Sequence, residues 1–282
     1  MIVYLDTISI NKLFEELDRR IGLKSLKKYE YALSSCQIDE LCSIASVELK
    51  SQIVDFFYKI SNKKKLKDHI EIMASETLYE LGIEEEISYV DPAYDQYNSM
   101  IREIIKKRIP SELQEQIDEF TRFIKKLYRE EENIIRKNFK PFLSLAKKMG
   151  LEKSFKRIFS EMMEDGQIND FLYNHLVFEE DYLGYSFSGI EREIGSINIS
   201  RLNCTYIGIQ ARVAYSYLAS FEEGKISKLR DSDQVDVRHL FYLNYADVFV
   251  TDDEKMLKIT NNMMDGITSK VETTKDFLKK YF

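Results

Sequence analysis

The chain has 282 residues, of which 44% are hydrophobic and 32% charged, and its formal net charge is −7. This length fits one large domain, or one α/β domain that carries a sizeable insertion. The acidic balance argues against a protein that binds nucleic acid over its whole surface, although a local basic patch is compatible with it.

The first fifty residues carry the pattern of a βαβα unit. The apolar run 2–5 (IVYL) ends at Asp6 and is typical of a central strand of a parallel sheet. Apolar residues at helical spacing follow over about 8–21, a second strand is predicted at 29–35, and a helix from about residue 37. This order indicates a parallel sheet with crossover helices.

Residues 55–199 have an almost entirely helical and highly charged pattern. We therefore predict an all-helical insertion into a discontinuous α/β core formed by residues 1–54 and 200–282. Within the insertion, segment 120–158 holds twelve basic residues against four glutamates, with aromatic residues between them. In most proteins the lysines and arginines of such a segment lie on a solvated helix face and the aromatic residues pack into the core. The alternatives are a nucleic-acid-binding surface or a docking surface for an acidic partner. The candidate substrate-binding residues of this segment are Lys125, Lys126, Arg136 and Lys137.

The α/β pattern returns near the end of the chain. Helices are predicted over about 203–221 and 234–246, and a short strand at 247–251 (DVFVT) follows them. An edge strand is predicted at 269–273 (SKVET), before a closing amphipathic helix.

Three features of the sequence predict a cytoplasmic protein. No run of about 18 apolar residues occurs, so we expect no membrane-spanning helix. The start, MIVYLDTISI, indicates a buried strand and not a signal peptide. The three cysteines, Cys36, Cys42 and Cys204, fit no zinc-ligand spacing and are expected to be reduced, buried and inert.

Acidic residues flank the predicted strands at one edge of the sheet. Asp6 follows the first strand, Glu40 lies about one turn into the helix after the second, and Asp253 follows the third. Because the carboxyl ends of parallel strands share one edge, these acids are expected to meet in one crevice. Asp236 lies near the start of the preceding helix, where the helix dipole favours an anion.

The chemistry of such a crevice points to a divalent cation. Carboxylates held close together need a cation to stay ionised, and hard oxygen ligands favour Mg²⁺ or Mn²⁺. Taken singly, each of these acids is more often a turn, an N-cap or a solvated helix residue. The prediction of a metal site therefore depends on the edge that they share.

The motifs around these acids resemble those of the PIN-domain family of metal-dependent nucleases. MIVYLDT is similar to the family's first strand with its Asp, and in LSSCQIDEL (33–41) two serines precede Glu40 by six and five positions, as in the family. DVRHLFYLNYADVFVTDDEKM (236–256) resembles the block in which an acid opens a helix and a strand ends in T-x-D. SKVETTKDFL is similar to the closing strand and helix, so the resemblance covers about half the chain.

The resemblance implies a three-layer α/β/α fold and hydrolysis that depends on Mg²⁺ or Mn²⁺. By position, Asp6, Glu40, Asp236 and Asp253 would be the metal ligands and catalytic residues, and Thr251 would brace the site by hydrogen bonding.

Two of these assignments stay open. The third acid could be Asp231, Asp233 or Asp236, of which Asp236, about 15 residues before the T-x-D, is favoured. The fourth could be Asp252 or Asp253, where T-x-D favours Asp253. A separate residue, His239, shares a helix face with the third acid, so it is a candidate for contact with a phosphate or the substrate. Equally, it could be a histidine satisfied by neighbouring acids.

The leading hypothesis is an endoribonuclease in which metal-activated water attacks a phosphodiester bond, with DNA as the less favoured substrate. Many PIN-domain proteins are toxins or act in anti-phage defence, so the resemblance also implies a neutralising or complex-forming protein partner. The alternative is a non-catalytic PIN-fold module that binds RNA or a protein. A haloacid-dehalogenase-like phosphotransferase is disfavoured because Ile8 takes the place of its second Asp, and no glycine fingerprint of a nucleotide-binding enzyme occurs.

Overall fold

The computed structural model describes residues 1–16, 22–44, 46–106, 155–221 and 231–282, together with the single positions 141, 144, 147, 148 and 150. Within these residues the chain forms an α/β structure around a five-stranded parallel sheet. None of the described helices is long and apolar enough to cross a bilayer.

The five strands are parallel and stand in the order β3-β2-β1-β4-β5. They are β1 (Ile2–Leu5), β2 (Glu30–Ser34), β3 (Ser61–Leu66), β4 (Val248–Val250) and β5 (Lys270–Glu272). The chain leaves β1 toward one side, through β2 and β3, and returns to the other side of β1 at β4. The strand order therefore reverses between β1 and β4, and the crevice outside the carboxyl ends of such a pair is the usual ligand site of an open parallel sheet.

Helices connect the strands, and fourteen α-helices are seen in the part of the chain that the structure describes. They are α1 (Thr7–Glu16), α2 (Leu23–Leu26), α3 (Ser35–Cys42), α4 (Val47–Ile60), α5 (His69–Glu80), α6 (Tyr94–Ile105), α7 (Phe155–Glu164), α8 (Gln167–Phe178), α9 (Glu180–Leu183), α10 (Glu191–Gly195), α11 (Asn203–Phe221), α12 (Asp231–Leu240), α13 (Glu254–Asn262) and α14 (Thr274–Tyr281).

Both faces of the sheet are buried under helices. Along β1, the side chains of Val3 and Leu5 enter one apolar cluster with residues of α1, α4, α6 and α14. Tyr4 points to the opposite face and enters a larger cluster with residues of α5, α7, α8, α11, α12 and α13. Successive side chains of a strand alternate between the two faces of the sheet. Because both faces are buried at this central strand, every residue of it is apolar.

The prediction that residues 55–199 are all helical is wrong at β3, which lies inside this range and pairs with β2. The sequence of the strand is SNKKKL, so it lacks both an apolar run and a clear alternation. Its position at the edge of the sheet tolerates lysines, which discourage pairing with another chain. One of them, Lys65, is nevertheless buried because its ammonium group lies 2.6 Å from the Asp91 carboxylate.

A buried glutamate joins α5 to the start of α11. Glu76 accepts hydrogen bonds from the backbone amides of Cys204 (2.9 Å) and Thr205 (2.8 Å) and from the Tyr89 hydroxyl (3.0 Å). The first-turn amides of a helix have no acceptor within the helix, so the Glu76 carboxylate serves as their hydrogen-bond acceptor.

We expect Glu76→Gln to lower the free energy of unfolding by about 2–4 kcal/mol, because an amide nitrogen would face donors that a buried carboxylate now satisfies. Denaturant unfolding measures this change. The matched control is Glu80→Gln in the same helix, which removes a surface pair with Arg201 and should cost about 0–1 kcal/mol. Equal losses in the two variants would contradict this role of Glu76.

Candidate active site at the carboxyl edge of the sheet

Asp6 and Thr251 lie where β1 and β4 end, at the point where the strand order reverses. The backbone amide of Asp6 still donates to Val250 of the neighbouring strand (3.1 Å). The Asp6 carboxylate accepts hydrogen bonds from the Thr251 hydroxyl (2.6 Å) and from the Ser9 amide (2.7 Å). The two strand ends therefore hold this carboxylate in one orientation.

The Asp6 carboxylate is 2% exposed, and burial is the main influence on its acidity. Burial raises the pKa of Asp6, while the hydrogen bonds from Ser9 and Thr251 and the charge of His239 oppose that rise without cancelling it. The ionised form of Asp6 is thus incompletely compensated by the described side chains, and a nearby cation would stabilise it.

Glu40 reaches the same edge from helix α3. The helix begins with a capping box in which the Ser34 side chain accepts from the Gln37 amide, and the Gln37 side chain accepts from the Ser34 amide. Gln37 also donates to the Leu5 carbonyl of β1 (2.6 Å), which ties the start of the helix to the central strand. The start of the helix that carries Glu40 is therefore fixed against β1.

Two groups hold the Glu40 carboxylate. It accepts a hydrogen bond from the hydroxyl of Thr7, the residue directly after Asp6, and lies 2.6 Å from Nε2 of His239. Burial would raise the pKa of Glu40, but the charge of His239 and the hydrogen bonds from His239 and Thr7 outweigh it, so the pKa is lowered. Asp6 and Glu40 are thus linked through a single intervening residue.

His239 is 1% exposed and connects Glu40 to the central strand. Its Nδ1 lies 2.8 Å from the Tyr4 hydroxyl, which in turn lies 2.8 Å from the Ser34 hydroxyl. Burial alone would lower the pKa of His239, but Cys36, Tyr4 and Glu40 raise it well above its usual range. These surroundings fit a histidine that positions Glu40, and they do not favour direct contact with a substrate.

Asp253 and Asp252 make different contacts. The Asp253 amide donates to the Thr251 hydroxyl (3.1 Å), and its carboxylate caps α13 by accepting from the Met256 amide (2.7 Å). Asp252 instead accepts from the side chain of Thr274 and lies 3.2 Å from the Lys12 ammonium group. Of the two acids, Asp253 contacts Thr251, and it does so through its backbone amide.

The third predicted acid lies on α12. Asp236 is partly buried, one helical turn before His239, and so flanks the histidine that contacts Glu40. The side chains of Asp231 and Asp233 lie outside the described residues. Thr251, predicted to brace the site, is fully buried and holds Asp6.

The basic candidates Lys125, Lys126, Arg136 and Lys137 also lie outside the described residues. At the end of segment 120–158, Lys156 pairs with Asp265 at 2.6 Å and Arg157 pairs with Glu161 at 3.0 Å. These two side chains are engaged with acids of the same chain.

A buried ionic network that the sequence did not reveal fixes helix α12. Arg238, next to His239 in the chain, donates to Asp68 at 2.7 Å and lies 3.4 Å from Asp39, the neighbour of Glu40. His69 contacts the second oxygen of Asp68 at 2.6 Å. Burial would raise the pKa of Asp68, but His69, Arg238 and a backbone amide outweigh it and hold the pKa well below its usual range.

A sulfur ligand candidate also lies at this edge. Cys36, Glu40 and His239 each place one potential ligand atom within 4.8 Å of the other two. Cys36 and Glu40 are four residues apart on α3 and therefore share a helix face, a spacing that was readable in the sequence. Burial raises the pKa of the Cys36 thiol, although His239 and Arg238 oppose that rise.

Comparison with known proteins adds no further constraint on the function. No protein-family model, curated protein or solved structure matches this chain.

Proposed function

We propose that this chain is a metal-dependent nuclease of the PIN-domain type, which hydrolyses phosphodiester bonds at the carboxyl edge of its sheet and acts on RNA in preference to DNA. The observation that carries the proposal is the position of Asp6, Glu40 and Asp253 after the carboxyl ends of the neighbouring strands β1, β2 and β4. Thr7, the residue after Asp6, donates to the Glu40 carboxylate. Thr251 donates to the Asp6 carboxylate and accepts from the backbone amide of Asp253, whose own carboxylate caps α13.

The donor types suit a hard divalent cation, although among the described residues only Cys36, Glu40 and His239 already hold ligand atoms within 4.8 Å of one another, so the carboxylates would have to close around the ion. Asp6, Glu40 and Asp253 offer only carboxylate oxygens, which Mg²⁺ and Mn²⁺ prefer. A carboxylate has about four lone-pair sites, so the hydrogen bonds that orient these groups leave capacity for a metal. Asp236 would complete the acidic set from α12.

A bound divalent ion would supply an activated water and polarise the phosphoryl group. The residues of the chain would do the positioning. Thr251 and Ser9 fix the Asp6 carboxylate, while Thr7 and His239 fix that of Glu40. No nucleophilic side chain is needed, so no covalent enzyme intermediate forms.

One observation favours a second function, a non-catalytic PIN-fold module that binds RNA or a protein. The pairing of Glu40 with His239 at 2.6 Å already neutralises one acid without a metal. If that pair is permanent, the edge would hold only Asp6, Asp253 and Asp236 for an ion.

A cleavage assay separates the two functions. Purified chain is incubated with a mixture of labelled RNA and DNA strands, with Mn²⁺ and with chelator. The nuclease proposal expects cleavage only with Mn²⁺, and faster cleavage of RNA. Binding of RNA without cleavage of either strand, at saturating Mn²⁺, would favour the module instead.

A further inference from the structure

We propose that Cys36, Glu40 and His239 form a binding site for a transition-metal ion of the zinc type, with an open fourth position toward solvent. This site is chemically distinct from an all-carboxylate site for Mg²⁺ or Mn²⁺, although Glu40 belongs to both. It does not depend on nuclease activity, because it is a property of three side chains and can be tested by binding alone.

The geometry of the three side chains suits one small ion. Their ligand atoms lie within 4.8 Å of one another, and a tetrahedral ion bound at about 2.0–2.3 Å holds its ligands roughly 3–4 Å apart. Nε2 of His239 and Oε2 of Glu40 are now 2.6 Å apart. An ion would replace the proton between them and would widen this separation by less than about 1 Å.

The ligand types select the metal. A thiolate and an imidazole are ligands for zinc and similar ions, whereas Mg²⁺ accepts neither readily. Cys36 and Glu40 come from successive turns of α3, and His239 faces them from α12. Two ligands from one helix and one from a facing helix give a site that both packed helices hold in place.

A metal-binding histidine also needs a partner that fixes the orientation of its ring, and the surroundings of His239 supply one. A histidine that binds a metal through one ring nitrogen usually donates from the other to a fixed partner. Here Nε2 faces Glu40, while Nδ1 lies 2.8 Å from the hydroxyl of Tyr4, which Ser34 holds in turn. The ring is therefore oriented for coordination through Nε2.

Access from solvent is provided by Glu40. The side chains of Cys36 and His239 are buried, whereas that of Glu40 is 31% exposed. An ion would arrive past Glu40, and a water molecule on the same side would occupy the fourth position. Binding would displace the thiol proton that Cys36 now directs to the Val235 carbonyl.

Cobalt titration tests the proposal, because Co²⁺ replaces Zn²⁺ in such sites and is coloured. Metal-free full-length protein is titrated with Co²⁺ and followed by absorption. We expect a thiolate-to-cobalt charge-transfer band in the near ultraviolet, intense visible bands of a tetrahedral ion, and loss of both on adding one equivalent of Zn²⁺. Tyr4→Phe should weaken Co²⁺ binding by about tenfold or more.

Matched cysteine variants identify the sulfur. Cys36→Ser should abolish the charge-transfer band, whereas Cys42→Ser should keep it, because Cys42 lines an apolar cavity with Leu41, Phe57 and Ile104. A band that survives Cys36→Ser, or wild-type protein that gives only weak bands without a sulfur signal, would overturn the proposal.

A measurement on the wild-type chain covers the case in which Cys36→Ser does not fold. X-ray absorption at the zinc edge should show one sulfur neighbour at about 2.3 Å and nitrogen or oxygen neighbours at about 2.0 Å. A zinc shell made of oxygen alone would refute the site. If the wild-type chain gives this zinc shell but the zinc-free chain cleaves neither RNA nor DNA with Mn²⁺, the nuclease proposal fails and the zinc site stands.

Discussion

Asp6→Asn is expected to lower the rate of Mn²⁺-dependent cleavage by about three orders of magnitude. Removing the charge costs roughly 4 kcal/mol of metal-assisted stabilisation of the transition state, and each 1.36 kcal/mol corresponds to a factor of ten. Asparagine has the same shape. Its single carbonyl oxygen can accept from the Ser9 amide, and its amide nitrogen can donate to the Thr251 hydroxyl, so the fold should persist. Single-turnover cleavage at saturating Mn²⁺ measures the change.

Asp247→Asn is the matched control for Asp6→Asn. Asp247 directly precedes β4 at the opposite edge of the sheet, where its carboxylate accepts from the Ile2 amide (2.7 Å). Cleavage by this variant should stay within a few-fold of the wild-type rate. Asp6→Asn protein that is folded and cleaves as fast as the Asp247 variant would contradict the assignment of Asp6.

Arg238→Met is expected to lower the free energy of unfolding by about 3–5 kcal/mol, because it leaves the buried carboxylate of Asp68 without its arginine partner. Urea or guanidinium unfolding measures the loss. The double variant Arg238→Met, Asp68→Asn should recover part of the lost stability, since it removes the uncompensated charge as well.

The control for this network is Arg157→Met. Arg157 pairs with Glu161 on the surface of α7 with 65% of its side chain exposed, so its loss should cost about 0–1 kcal/mol. If Arg238→Met lowers the free energy of unfolding by no more than Arg157→Met does, the buried network does not anchor α12. Because His239 follows Arg238 directly, a shift of α12 would also release Glu40 from its partner.

Most of the sheet was predictable because its central strands carry a signal that depends on local sequence alone. The apolar run before Asp6 and the run before Thr251 predict β1 and β4, and the edge position predicted for residues 269–273 is confirmed by β5. The helix predicted over about 234–246 is shorter, ending at Leu240 before a 3-10 turn at Leu243–Tyr245.

What could not be predicted depends on tertiary contacts. β3 has three lysines in six residues, and only its pairing with β2 makes it a strand. Arg238 and Asp68 are far apart in sequence, and nothing in the residues around either of them indicates that the two form a buried ion pair. For the candidate site, the shared edge of the acids was predicted because the strands were expected to be parallel, whereas the contact of His239 with Glu40 required the packing of α12 on α3.

The prediction that the cysteines are inert is the one that the proposed zinc site would change. Cys36 and Cys204 are buried and Cys42 is partly buried. Spacing alone gave no zinc motif because the three proposed ligands come from two helices that are distant in the chain.

The most direct test of the central proposal is an analysis of the ends that the wild-type chain leaves on a labelled RNA strand. Hydrolysis by metal-activated water should yield products only with Mn²⁺, without a 2′,3′-cyclic phosphate, since the 2′-hydroxyl takes no part in the attack. It should also cleave a DNA strand of the same sequence, more slowly. Cyclic-phosphate ends, or the same products in the presence of chelator, would contradict a metal-dependent nuclease built on Asp6, Glu40 and Asp253.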